Sequence, residues 1–93
     1  MTSRKILLQD KYKILQSKIN QVLNNDLFPP LEIVSIVDIV YLLNVNFMNV
    51  NTDIEYKSKI NNMIDINSYN ISEEHRQLII PDIINFIKYI KTI

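Results

Sequence analysis

The side chains able to do chemistry in this chain are few, and the densest group is Glu73, Glu74 and His75, with Asp82 seven residues beyond the histidine. His75 is the only histidine. One imidazole with two or three carboxylates is a weak ligand set for a transition metal, and acid–base work needs two groups that converge on one bond. Glu73 and Glu74 are adjacent, and neighbours on a helix point about 100° apart, so they do not converge. Their place just after Ser72 has a plainer reading: serine caps the start of a helix, and two glutamates in its first turn meet the positive end of the helix dipole. His75 is expected to be a solvated, charge-paired residue. No catalytic residue, cofactor or metal site is expected.

Absent residue types narrow the chemistry further. The chain has no Gly, Ala, Cys or Trp. Without glycine there is no phosphate-cradling loop, dinucleotide fingerprint or strained nucleophile turn, since each needs backbone positions that only Gly occupies cheaply. Without cysteine there are no disulfides, thiolate zinc sites, iron–sulfur ligands or thiol nucleophiles. In their place stand 18 Ile, 12 Asn and 8 Lys, all encoded by A/T-rich codons. That bias points to an A/T-rich genome, such as that of some large DNA viruses, parasites or endosymbionts.

The charges offer a second kind of chemistry. The net charge is zero, but residues 1–23 carry five positive charges and one negative (net +4), whereas residues 24–56 carry five acids and no Lys or Arg (net −5). Arg4, Lys5, Lys11 and Lys18 could meet nucleic-acid phosphates, which is the alternative reading of the first helix. Against it, Lys13 points away from the Lys11 and Lys18 row, and only Tyr12, a core candidate, could stack on a base. Docking on an anionic membrane is disfavoured because this segment has neither Trp nor Phe. The basic segment is expected to lie beside the acidic middle of the chain or to meet an acidic partner.

These groups must be carried on helices. Arg4–Leu23 places Leu8, Tyr12, Leu15, Ile19 and Val22 at spacings of four and three, a heptad-like seam, with Ser3 as N-cap and Asn24, Asn25 and Asp26 at the exit. After Pro29 and Pro30, Leu31–Leu43 is rich in β-branched residues. Its polar residues Glu32, Ser35 and Asp38 nevertheless recur every three positions, which a helix gathers on one side and a strand would alternate. This helix is apolar almost all round, so it is expected to be central in the fold or covered by a second contact. Residues 44–51 read as a linker with Phe47 or Val50 tucked under neighbours. Thr52 and Glu55 then form a capping box that starts a helix reaching Ile66 or Asn67. From Ser72 the last segment runs to Ile93, and Pro81 within it predicts a kink or a split. Its many isoleucines predict the hydrophobic backbone of the domain.

One chain of 93 residues supports one core. The fold class expected is all-α, a compact bundle of four helices, or five if Pro81 divides the last. No signal peptide or membrane-spanning run is legible, so an intracellular, soluble protein is expected. With 47% hydrophobic residues and no Ala, the chain holds more bulky apolar surface than one small core absorbs. The expected function is therefore a non-catalytic interaction or assembly module that binds a protein partner or its own copies. Leu7, Ile14, Leu31, Ile39 and Leu42, each off the main core face of its helix, are the expected contact residues.

Overall fold

The last helix organises the molecule. The computed structural model describes residues 2–23, 27–66 and 70–92; these form α1 (Thr2–Leu23), α2 (Ile36–Phe47), α3 (Asp53–Ile66) and α4 (Glu73–Lys91), with no strand among them. Each of α1, α2 and α3 packs chiefly against α4, most extensively α1. Sequence explains why: Ile79, Ile80, Ile83, Ile84, Phe86, Ile87 and Ile90 are all buried and wrap about half the helix, wide enough to serve three neighbours. Each such side chain contributes about 2 kcal/mol relative to exposure in water. The bundle is thus the four-helix form of the expected all-α fold.

Pro81 does not split α4, which is continuous from Glu73 to Lys91. Both Pro81 and Gln77, whose carbonyl loses its amide partner, are exposed, so solvent can take the freed acceptor. Ser72 caps the helix as expected, its Oγ accepting from the His75 amide at 3.2 Å. At the other end the Thr92 amide and hydroxyl both donate to the Tyr89 carbonyl.

In α1 the expected seam is the buried face, with Leu8, Tyr12, Leu15 and Ile19 in the core and Val22 partly buried against it. The helix is already formed at Thr2, so Ser3 lies inside it and is not its cap. The expected exit at Asn24, Asn25 and Asp26 lies outside the described residues. Thr52 opens α3: its Oγ1 accepts from the Glu55 amide at 3.2 Å and its hydroxyl donates to the Glu55 carboxylate at 2.9 Å. One arm of the expected capping box is therefore present, while the glutamate takes the threonine hydroxyl and not its amide. Arg76 fastens α3 to α4, donating to Asn61 and Asp65 and to the carbonyl of Ile71.

The second helix departs from the sequence reading. It begins at Ile36, not Leu31, and continues to Phe47, so residues 44–47 are helical and not linker. Ser35, read as part of a polar helix side, is the N-cap, with extended backbone and an Oγ that accepts from the Asp38 amide at 3.2 Å. Before it, the Pro30 carbonyl accepts from the amides of Ile33 and Val34 in a separate turn. Both Phe47 and Val50 are buried. Nor is α2 central: the molecule is 19 Å across its shortest dimension, about two helix diameters, so only α4 is covered on several sides.

Candidate functional site

The titratable group at the start of α4 does not assemble into a site. Glu73, Glu74 and His75 are exposed in the first turn. Asp82 lies seven residues on, about 10 Å along the helix, and pairs with Lys18 of α1. Among the described residues no three His, Cys, Asp or Glu side chains come close enough to hold a metal ion.

Two lysines of α1 are engaged by α4. Lys18 takes Asp82, and Lys11 sits over the Tyr89 ring with Nζ 4.7 Å from its centre. Arg4 and Lys5 fall within α1, but their side chains lie outside what is described. The remaining ion pairs among the described residues are Arg76 with Asp65 and Lys88 with Asp53. None of these pairs joins α1 to residues 24–56; from that stretch the 27–34 segment lies against α1 through Tyr12, Phe28 and Pro29, while Lys11 and Lys18 turn to α4. The cause is the core: the seam of α1 and the broad face of α4 set the pairing, and the charges adapt.

The expected contact residues separate into three groups. Leu7, Ile14 and Leu42 are exposed, Ile14 at 71%. Leu31 is partly buried against the core. Ile39 is in the core, 8% exposed, and cannot be a surface contact. The reason is register. Ile36, Ile39, Leu43 and Phe47, spaced three, four and four, form the buried face of α2, and removing Glu32 and Ser35 from the helix rotates its solvent side away from the direction they implied.

Directly opposite that buried face runs a stripe that the sequence reading missed. Val37, Tyr41, Val45 and Met48, spaced four, four and three, fall within about 80° of one another around the helix axis, and all are more than half exposed, Tyr41 at 71%. Leu42 flanks them. The only charged residue of α2 is Asp38, beside the stripe, so no charge interrupts it. The signal was present as an apolar helix with no polar side. On α1, by contrast, Asp10 stands between Ile6 and Ile14 in the exposed row and breaks the apolar surface.

Beneath α2 is a cavity of about 200 Å³, bounded by all four helices and the 27–34 segment. Phe47, Ile64, Ile83 and Ile87 form its floor, with Leu42 and Asp38 as its exposed edge. Tyr12 closes one end. Its hydroxyl donates to the Pro29 carbonyl and its ring meets Phe28 edge-on at 6.0 Å and Phe86 at 5.8 Å, which pins the 27–34 segment across α1 and α4. Burial pushes the Tyr12 phenol up from 10.0 to about 12.

Fold and surface together define a small all-α bundle in which α2 presents a bare apolar face. Comparison with protein families, with curated proteins and with solved structures finds no match to this chain. No helix among the described residues is long and apolar enough to cross a membrane.

Proposed function

We infer that the chain is a non-catalytic protein–protein interaction or assembly module that works through the outward face of α2. The observation that carries this reading is the uninterrupted stripe Val37, Tyr41, Val45 and Met48, with Leu42 at its edge. Large apolar side chains held in water add nothing to the stability of the lone chain, and contiguous patches of this kind mark association surfaces. Tyr41 at the middle has the character of an interface anchor, an apolar ring with a polar tip. Leu7 and Ile14 form a lesser contact area on α1, while Leu31 and Ile39 act from behind by holding α2 in place.

Engagement of Lys11 and Lys18 within the molecule favours a protein partner over nucleic acid. The bias toward Ile, Asn and Lys supports an origin in an A/T-rich genome, and a structural or host-directed role inside cells infected by a large DNA virus fits such a module.

The test is binding of a dye that fluoresces on apolar surfaces. At concentrations low enough to keep the chain monomeric, the native chain is expected to bind it, and Tyr41→Asp or Val37→Asp to lose most of the signal while keeping full helix content. Undiminished fluorescence in both variants would remove the α2 face from the reading.

A further inference from the structure

We propose that the partner of the α2 face is a second copy of the same chain, and that two α2 helices pair antiparallel about a two-fold axis between Tyr41 and Val45. This rests on the interaction reading above and names its partner.

Area is the first argument. From their fractional exposures, Val37, Tyr41, Leu42, Val45 and Met48 leave on the order of 600 Å² open on one chain, close to the roughly 800 Å² per partner of a standard interface. Exposed Asn44 and Asn49 on either side of the stripe, with Asp38, make a polar rim around an apolar centre. Two such faces bury about 1,200 Å² between them, the lower end of the stable range.

Self-complementarity is the second. A two-fold pair must place the same patch on itself, and a stripe without charge can do so without repulsion. Centred between Tyr41 and Val45, the antiparallel arrangement sets Tyr41 of each copy on Val45 of the other and Val37 on Met48.

Charge selects the direction. The one charge on α2 is Asp38, beside the stripe; Lys91, at the Met48 end, is held by the Val50 carbonyl at 2.7 Å and by the Tyr56 ring. Antiparallel pairing sets the two Asp38 side chains at opposite ends of the contact and opposes the two helix dipoles. Parallel pairing would instead hold the two Asp38 side chains at the same level of the contact.

The experiment uses the full chain. Analytical ultracentrifugation should find a dimer with Kd in the micromolar range, in keeping with its modest area. Tyr41→Asp and, separately, Val45→Lys should weaken it at least tenfold, with circular dichroism unchanged. Because the chain has no cysteine, introduced thiols report direction: a mixture of Val37→Cys and Met48→Cys chains should form the mixed disulfide, and Val37→Cys alone should not cross-link. A dimer indifferent to both charged variants, or efficient cross-linking of Val37→Cys with itself, overturns the proposal. So does a native chain that stays monomeric at the highest concentration reached. In that last case dye binding that Tyr41→Asp abolishes leaves the interaction reading standing with a different partner, and absence of dye binding removes both.

Discussion

Tyr12 carries the clearest consequence at the scale of one residue. It is buried and its hydroxyl donates to the Pro29 carbonyl, so its ionised form is disfavoured in the folded chain. Its pKa is raised from 10.0 to about 12 by burial, which fixes the sign of the pH dependence. Below pH 10 the phenol is neutral folded or unfolded and the stability is intact. Between pH 10 and about pH 12 the unfolded chain loses its proton first, and up to roughly 2–3 kcal/mol is lost as pH rises through that window. Tyr12→Phe is expected to cost about 1 kcal/mol at neutral pH for the lost hydrogen bond and to abolish Tyr12's part of the alkaline loss. Urea unfolding of both chains at pH 8 and pH 11 checks this; an equal alkaline loss in the two would assign it to other groups. Residue chemistry also shows where sequence reasoning succeeds. Tyr12 was legible as core from its place in the seam, but its bond to Pro29 was not, because the partner is 17 residues away and nothing in the local pattern encodes that approach.

At the scale of elements, legibility depended on caps. Ser72 and Thr52 precede acidic residues and stand clear of other apolar runs, so α4 and α3 could be placed to within a residue or two. Ser35 and Asp38 are an equally good cap pair, but apolar residues flank them on both sides from Leu31 to Leu43, and with Glu32 they keep a three-residue polar spacing. Period alone then drew the helix through its own start, and the rotation that followed put Ile39 on the surface and left Val37, Tyr41, Val45 and Met48 unnoticed. Of the expected contact set Leu7, Ile14 and Leu42 were legible as exposed, since their positions follow from being off the seam. The register of α2 has a direct test in two neighbours. Leu43→Ala should cost about 2–5 kcal/mol as a core truncation, and Leu42→Ala at most about 1 kcal/mol, measured by denaturant unfolding; equal costs would contradict the face assignment. For α4, Pro81→Ala restores the amide that can reach the Gln77 carbonyl at an exposed interior position. Proline costs about 3 kcal/mol more than alanine inside a helix, offset by under about 1 kcal/mol for its stiffening of the unfolded chain. A gain of about 2 kcal/mol is expected in the same assay, and a loss would show that α4 depends on the proline's own packing.

At the scale of the whole molecule, one cause underlies both the bare α2 face and the cavity beneath it. Close helix packing alternates large and small side chains across the contact, and this chain has no Gly or Ala to serve as the small ones. Isoleucine facing isoleucine keeps helices apart, so apolar volume is lost inside while apolar area remains outside. The radius of gyration, 12.9 Å, is within the roughly 12–13 Å of an ordinary compact chain of this length, so the loss is local and not an overall expansion. A closed, empty cavity of about 200 Å³ would cost about 5 kcal/mol, a large share of the 5–15 kcal/mol that holds a domain together. This one is partly open to solvent, which lowers that cost but leaves the floor at Phe47 and Ile64 under-packed. Val34, partly buried on the cavity wall, is the position from which it can be filled without disturbing a helix. Val34→Leu adds one methylene, about 0.8 kcal/mol if it is fully buried, and should raise the thermal midpoint by about 4 °C. Benzene, which fits dry apolar cavities of about this size, should raise the midpoint of the native chain and do less for Val34→Leu. If the 27–34 segment instead settles into the space, the added carbon overpacks it. Val34→Leu would then lower the midpoint and benzene would have no effect on either chain.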